Sequence, residues 1–340
     1  MTKRLRWGVL GTAGIARGQV IPAIRGSSNG EVVAVAGRDP ERTRAFARDL
    51  DIPRAVDGYE ALVADPGIDA VYIPLPNGAH AQWAIRSAEA GKAVLCEKPL
   101  AMDAAEAQRV ADVFAARGVP LMEGFMYRFH PQNVRVLELV RSGAVGEVRE
   151  VRAHLSVHLM DPPDPRNVRF DPAIGGGALL DMGCYTASIV RRIFGEEPET
   201  VQGWLDIDPS FGVDVSAAAI LGYGGGRLGA MTCSFRAGGQ GTCTIVGTKG
   251  TIEVPRAIIP GMDTRAPEGL VVLVDTDGRR REEVFAPVNQ YRLMAEAFAE
   301  AVIAGRPVPY APADAVANMR VLDAVARSAA DGARVAIAPR

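Results

Sequence analysis

The stretch Leu5-Arg-Trp-Gly-Val-Leu-Gly-Thr-Ala-Gly-Ile-Ala16 decides how the chain begins to fold. It contains an apolar strand, Leu5–Leu10, a glycine turn, and the start of a helix that we predict from about Ile15 to Arg25. The turn approximates G-x-G-x-x-G/A, the fingerprint of a dinucleotide-binding βαβ unit, with Ala13 at the second glycine. Free N–H groups at such a helix start favour phosphate binding, although a strand-to-helix turn that binds nothing is the alternative. The predicted contacts in this turn are Gly11, Thr12, Ala13, Gly14 and Ile15.

The second predicted strand, Glu31–Ala36, indicates which dinucleotide the unit takes. An NAD site usually has an acidic residue near the end of this strand, where it holds the ribose 2′-hydroxyl. Here Gly37 and Arg38 follow the strand, and a guanidinium binds a 2′-phosphate through a bidentate fork. We therefore predict NADP as the cofactor, with Gly37 and Arg38 among its contacts. Asp39 could still hold a 2′-hydroxyl, so NAD stays possible, and Arg38 could instead be a solvated surface arginine.

The order of strand and helix patterns divides the chain into two domains. Apolar strands alternate with helices at first, so we predict a doubly wound parallel sheet, an α/β Rossmann domain, over residues 1–128. Residues 129–340 begin with a helix and then contain mainly strands separated by turn signals. We predict there an α+β domain with a large open antiparallel sheet, closed by helices near Gln290–Ala304 and Pro312–Asp331. The predicted strands of this domain are Val148–Val157, Val201–Asp206, Ser216–Tyr223, Leu228–Phe235, Thr242–Val246, Thr251–Val254, Leu270–Val274 and Glu282–Phe285.

Composition and charge argue against several classes of protein. The formal net charge is -2, so no basic field for nucleic acid is expected. The apolar run Trp7–Leu10 is too short for the core of a signal peptide, and we expect no stretch that spans a bilayer. The four cysteines form no C-x-x-C pair, which suits reduced thiols in a cytoplasmic protein. The four histidines lack metal-ligand spacing, so no metal site is predicted.

Three positions carry candidate chemistry. Lys98, in Glu97-Lys98-Pro99, follows a predicted parallel strand at its carboxyl end, where ligands of such sheets bind. It could stabilise a developing alkoxide. Asp181 and Tyr185 are four residues apart on a helix predicted to start near Gly175–Gly177, so they share one face. A lysine beside the tyrosine would lower the pKa of the phenol and make proton transfer feasible. The alternative is a surface lysine, a core aromatic and a helix-surface carboxylate.

The chain resembles the Gfo/Idh/MocA oxidoreductases over nearly its whole length. Tyr185 makes it most similar to the branch of glucose–fructose oxidoreductase, D-xylose dehydrogenase and dihydrodiol dehydrogenase, because inositol dehydrogenase-like members usually carry histidine there. The motifs that carry the resemblance are Gly11–Ala16, Ile73-Pro-Leu-Pro-Asn77 with His80, Glu97-Lys98-Pro99, Leu121-Met-Glu-Gly-Phe-Met-Tyr-Arg-Phe-His-Pro-Gln132 and Gly175-Gly-Gly-Ala-Leu-Leu-Asp-Met-Gly-Cys-Tyr185.

The resemblance implies roles for individual residues. Lys98 would orient and polarise the substrate, Tyr185 would act as general acid/base, and Asp181 would orient the substrate or tune that pair. It also implies substrate contacts at Tyr127 and Arg128 in addition to these three. The further cofactor contacts implied are Pro74, Leu75, Asn77, His80, Glu97, Lys98 and Arg169.

The expected activity is hydride transfer between NADP and a sugar or polyol. The leading form is oxidation of an aldose such as D-xylose or D-glucose at C1, which gives a lactone. Alternatives are a sugar ketoreductase or diol dehydrogenase that uses the same residues, an NAD-dependent glycosidase, and a non-catalytic cofactor-sensing regulator. The resemblance further implies a homodimer or homotetramer that forms through the antiparallel sheet.

Overall fold

A computed structural model describes residues 3–260 and 268–337. Its strands are β1 Leu5–Leu10, β2 Gly30–Gly37, β3 Arg54–Asp57, β4 Ala70–Ile73, β5 Ala93–Cys96, β6 Leu121–Glu123, β7 Val148–Ser156, β8 Thr200–Ile207, β9 Asp214–Tyr223, β10 Arg227–Ser234, β11 Gln240–Gly247, β12 Gly250–Val254, β13 Gly269–Asp275, β14 Arg280–Phe285 and β15 Val335–Ala336. Its α-helices are α1 Ile21–Arg25, α2 Pro40–Asp49, α3 Tyr59–Ala64, α4 His80–Glu89, α5 Ala104–Arg117, α6 Pro131–Arg141, α7 Cys184–Phe194, α8 Gln290–Ala304 and α9 Pro312–Asp331. Two π-helical turns, Ala16–Val20 and Leu179–Gly183, lead into α1 and α7.

The chain forms two compact units, Met1–Met126 with Asn289–Val316, and Tyr127–Val288 with Ala317–Arg340. The boundary near residue 127 is close to the predicted one. The segment Asn289–Val316, which we had assigned to the second domain, belongs to the first unit. The segment packs on the first unit through Phe298, whose ring centroid lies 5.2 Å from that of Trp7. These two residues are far apart in sequence.

The first unit contains a six-stranded sheet in the order β3-β2-β1-β4-β5-β6, with every neighbouring pair parallel. This order is the doubly wound Rossmann arrangement, so the predicted fold class is confirmed. The strand β3 is hard to predict from the sequence, because Arg54–Asp57 has no fully buried residue and therefore little apolar signal. The carboxyl ends of β1, β2, β4 and β5 carry the cofactor residues that we predicted in this unit.

The second unit contains a nine-stranded sheet in the order β14-β13-β12-β11-β7-β10-β9-β8-β15. The predicted hairpin at Tyr223-Gly-Gly-Gly joins β9 to β10 in antiparallel register. The sheet is mixed rather than wholly antiparallel, because β7 and β10 pair in parallel. A parallel pair needs a long crossover, and here the chain passes through α7, β8 and β9 before it returns to β7.

The helical stretch Pro172–Phe194 corrects one expectation about membranes. This stretch of 23 residues is long and apolar enough to cross a membrane by length and composition, whereas we had expected no such stretch. However, 72% of its most apolar window is buried inside the protein, and α7 packs against β7 and β10. A buried core helix passes the same test, so the finding is weak evidence for a membrane span.

Candidate functional site

The turn after β1 has the geometry that a phosphate-binding turn requires. Gly11 has a φ of 94°, which favours glycine, and its N–H donates to the Ala36 carbonyl at 2.6 Å. A Cβ at Gly11 would lie 2.9 Å from the Leu75 side chain, whereas a Cβ at Gly14 would meet nothing within 4 Å. No side chain caps the helical turn that begins at Ala16. Its first N–H groups therefore lack a side-chain partner and suit an anion.

Gly37 and Arg38 lie beside two residues that we did not predict from the sequence. A Cβ at Gly37 would lie 2.2 Å from Thr43 Oγ1, so this position has room only for glycine. The Arg38 guanidinium hydrogen-bonds the Tyr59 hydroxyl, and Arg42 adds a second positive charge nearby. Burial raises the pKa of Tyr59, and these two arginines oppose that rise. Arg42 could have been noticed as a cation in the first turn of a helix, where the macrodipole disfavours it unless an anion is bound.

Asp39, the alternative partner for a ribose hydroxyl, already has a structural role. Its Oδ1 accepts hydrogen bonds from the N–H groups of Glu41 and Arg42 at 2.9 and 3.1 Å. It is thus the N-cap of α2. This geometry favours a cationic over an acidic recognition group at the end of β2.

The loops after β4 and β5 are joined by His80. Pro74 is buried, Leu75 and Asn77 are half-buried, and the His80 ring is fully enclosed. Its Nδ1 lies 2.7 Å from the Pro99 carbonyl oxygen and its Nε2 lies 2.7 Å from that of Leu75. Burial lowers the pKa of His80, although both carbonyls act in the opposite direction. His80 thus holds together two loops that carry predicted cofactor contacts.

In the Glu97-Lys98-Pro99 segment, the Glu97 side chain is buried and the Lys98 side chain is more exposed. The buried Glu97 carboxylate accepts a hydrogen bond from the Tyr72 hydroxyl at 2.7 Å. Burial, with the Glu97 charge as a smaller cause, raises the pKa of Tyr72 well above its usual value. Lys98 is half-buried immediately beyond β5. Glu97 is therefore anchored in the core of the first unit, and Lys98 stands at the edge where ligands of parallel sheets bind.

In the second unit, Asp181 and Tyr185 converge on Arg169. The Arg169 Nε donates to Asp181 Oδ2 at 2.6 Å. The charge of Asp181, and to a smaller extent that of Tyr185, raises the pKa of Arg169. Both groups thus interact with one guanidinium, as the predicted shared face would allow, with Asp181 in a π-helical turn and Tyr185 in α7.

Tyr127 and Arg128 are held against the same helix by Ser188. The Tyr127 hydroxyl and Ser188 Oγ are 2.7 Å apart, and Arg128 Nη2 donates to that Oγ at 2.6 Å. The Tyr127 ring meets the Tyr185 ring edge-on with centroids 6.1 Å apart. Ser188 was not predicted, but it lies three residues after Tyr185, where it shares a helix face with it.

Two glycines of the run Gly175–Gly177 are enclosed by neighbouring chain. A Cβ at Gly176 would lie 2.7 Å from the Arg169 carbonyl oxygen, and a Cβ at Gly177 would lie 2.2 Å from Asp214 Oδ1. The run therefore lets the chain pack closely against itself. Within residues 3–260 and 268–337, no group of three His, Cys, Asp or Glu residues is placed to hold a metal ion.

Comparison with known proteins identifies the class. Residues 5–125 match the oxidoreductase family with an NAD-binding Rossmann fold, and residues 134–253 match the GFO/IDH/MocA C-terminal domain. The chain therefore belongs to the Gfo/Idh/MocA oxidoreductase family, and it is an oxidoreductase. The predicted family, fold class and enzyme class are confirmed.

Relatives and solved structures cover almost the whole chain. It is 41% identical over 331 residues to a D-xylose 1-dehydrogenase (NADP(+)) of Haloferax volcanii, covering 97% of this chain and 99% of that protein. A 3-ketoreductase from Actinomadura kijaniata, solved with NADP and TDP-benzene, has a TM-score of 0.88 and 31% identity, with 96% and 98% of the two chains covered. An aldose-aldose oxidoreductase from Caulobacter crescentus, complexed with glycerol, has a TM-score of 0.89 and 26% identity, covering 98% and 100%.

Proposed function

We propose that this protein is an NADP-dependent dehydrogenase that oxidises an aldose at C1 to a lactone. The observation that carries the proposal is the convergence of Asp181 and Tyr185 on the Arg169 guanidinium, 2.6 Å from the carboxylate. It places a phenol near a guanidinium that a carboxylate holds in position, and a tyrosine is one of the side chains that act as general acid or base. Similarity to the D-xylose dehydrogenase supports the substrate class.

The residues divide the chemistry between them. Tyr185, as the phenolate, takes the proton of the C1 hydroxyl while the C1–H bond breaks and the lactone carbonyl forms. Lys98 donates a hydrogen bond to the same oxygen and stabilises its developing negative charge. Asp181 holds Arg169 in place, and Tyr127 and Arg128 contact the sugar. NADP⁺, when bound, accepts the hydride.

The 2′-phosphate of NADP fits the cluster of Arg38, Arg42 and Tyr59. Two guanidinium groups and a hydroxyl supply donors for phosphate oxygens. Gly37 keeps an acidic side chain, which would repel the phosphate, away from this position. The remaining predicted contacts would follow the chain from Gly11 to Ile15 and along the Pro74–His80 and Glu97–Lys98 loops.

Cofactor binding tests the first part of the proposal. Arg38→Ala and Arg42→Ala should each weaken NADP binding by about tenfold or more, since a hydrogen bond to a charged group contributes roughly 1.5–3 kcal/mol, and should leave NAD binding nearly unchanged. Arg48→Ala, an exposed arginine at the far end of α2, is the matched control. Titration with the fluorescent reduced cofactors, NADPH and NADH, measures both constants. Tighter binding of NAD than of NADP by the unaltered protein would contradict the assignment.

Turnover tests the second part. Tyr185→Phe and Lys98→Ala should each lower kcat by at least about a hundredfold, because general acid–base catalysis contributes roughly 10²–10⁴-fold. Tyr223→Phe removes another buried hydroxyl, one without a hydrogen-bond partner among the described residues, and should keep full activity. The assay follows NADPH formation with pentoses and hexoses. Near-full turnover of Lys98→Ala with intact cofactor binding would refute the proposed chemistry.

Reduction of a ketosugar is the second candidate activity. It is favoured by the similarity to the 3-ketoreductase of Actinomadura kijaniata. The same residues would act in reverse, with Tyr185 donating its proton to the forming alkoxide. NADPH consumption with ketosugars, in the absence of NADPH formation with aldoses, would select this reaction.

The outer face of the nine-stranded sheet supports assembly with further copies of the chain. Trp204, Ile220 and Leu228 lie on neighbouring strands and are 57%, 47% and 47% exposed. Apolar side chains grouped on one sheet face are typical of an interface. We propose a homodimer or homotetramer formed through this face. Trp204→Glu should shift the mass measured by sedimentation toward the monomer, and an unchanged mass would contradict this interface.

A further inference from the structure

The helix that carries Asp181 and Tyr185 begins without a cap from its own sequence. The residue before its first turn, Ala178, makes no side-chain hydrogen bond to that turn. Two glycines and an alanine precede Leu179, and none of them offers the oxygen with which Ser, Thr, Asp or Asn usually caps a helix. The first N–H groups of this helix therefore need an acceptor from elsewhere in the chain.

Asp214 supplies that acceptor from the first residue of β9. Its Oδ2 accepts a hydrogen bond from the Leu179 N–H at 2.6 Å, and the Ala178 N–H also contributes to holding the carboxylate. The carboxylate lies against Gly177, whose φ of 113° and missing side chain leave it room. The contact spans 35 residues of sequence. It joins the start of the helix to the first residue of β9.

The glycine run next to Asp214 also holds the segment that carries Arg169, the ion-pair partner of Asp181. The Gly177 N–H donates to the Arg169 carbonyl oxygen at 2.9 Å, and the Gly176 N–H donates to that of Asp171 at 2.9 Å. The segment with Arg169 is hydrogen-bonded to the glycine run, and the helix with Asp181 begins directly after it. Asp214 contacts the chain at this junction. A shift of this helix start would move Asp181 relative to Arg169.

The charge of Asp214 is consistent with a capping role. Burial raises the pKa of this carboxyl to about 6, and the N–H groups of Leu179, Ala178 and Asp214 itself oppose the rise. One titratable group that interacts with it is the buried Cys233 thiol, whose Sγ donates to the Ala178 carbonyl oxygen at 3.3 Å. A carboxylate at a helix N-terminus also interacts favourably with the helix macrodipole.

We propose that Asp214 is a positioning residue of the active site, which caps the helix from a distant strand and thereby sets Asp181 against Arg169 and Tyr185 on the same face. It touches neither the substrate nor the cofactor in this role. The inference rests on the proposed function, because the test detects a displaced Tyr185 through a change in kcat.

Steady-state kinetics of variants in the full-length protein test this role. Asp214→Ala should lower kcat by at least about tenfold, since misplacement of a reacting group by 1 Å costs up to about 10²-fold. NADP affinity should stay within twofold of the unaltered protein. Asp214→Asn should restore kcat to within about threefold, because Asn caps helices as well as Asp does. Asp103→Ala removes the cap of α5, a helix that carries no predicted site residue, and should leave kcat unchanged.

Three outcomes overturn the proposal. They are a kcat for Asp214→Ala within twofold of the unaltered protein, a kcat for Asp214→Asn as low as that of Asp214→Ala, and an equal loss of kcat in Asp103→Ala. Should Asp214→Ala not fold, Asp214→Glu, which displaces the carboxylate by one methylene, replaces it with the same expectation. Failure of the proposed function is a separate result, because the unaltered protein would then form no NADPH with aldoses, or Lys98→Ala and Tyr185→Phe would keep full turnover.

Discussion

Replacing Asp214 by Asn should remove the part of the pH dependence of stability that this one carboxyl group contributes. The native pKa of about 6 lies above the ordinary value of 3.8 because burial disfavours the charge. The native state therefore binds this proton more tightly than the unfolded chain does. The protonated Asp214 carboxyl therefore contributes to the free energy of unfolding. This contribution is complete at a pH below the pKa of the unfolded chain and is lost as the pH rises through 6.

The magnitude follows from the size of that shift. A difference of about two units corresponds to roughly 3 kcal/mol, since one unit is 1.36 kcal/mol. Asn keeps an acceptor for the Leu179 N–H and carries no charge at any pH. Relative to the unaltered protein, Asp214→Asn should thus gain up to about 3 kcal/mol of unfolding free energy between pH 4 and pH 8, with most of the change between pH 4 and 6.5.

Urea unfolding at pH 4, 5, 6, 7 and 8, followed by circular dichroism, measures the difference between the two proteins. Asp103→Asn, made at the exposed N-cap of α5, is the control for removing a carboxylate from a helix start. A difference between Asp214→Asn and the unaltered protein that stays constant from pH 4 to pH 8 would refute the reasoning about burial.

Two further changes test contacts around the site. Ser188→Ala removes the oxygen shared by Tyr127 and Arg128, so KM for the sugar should rise severalfold and stability should fall by about 1–3 kcal/mol; an unchanged KM would show that these contacts do not hold the substrate residues. Tyr72→Phe removes the buried donor to Glu97 and should cost roughly 1.5–3 kcal/mol in urea unfolding, whereas a loss below 0.5 kcal/mol would mean that the carboxylate finds another donor.

The sequence by itself determined the local elements and the residue types of the site. Alternation of apolar strands and helices predicted the Rossmann sheet, and the spacing of Asp181 and Tyr185 predicted their shared face. Gly37 and Arg38 predicted a site for a 2′-phosphate. These inferences were possible because helix and strand periodicity, and turns at glycine, are set by neighbours in the chain.

Only the tertiary structure decided which distant residues meet. It added Tyr59 and Arg42 to Arg38, returned Asn289–Val316 to the first unit, and paired β7 with β10 in parallel. It also brought Asp214 to a helix start 35 residues away. The opening turn of the chain lies between a strand and a helix, as its sequence predicted. Contacts across a fold, in contrast, depend on the order in which strands join a sheet, which no local pattern of residues records.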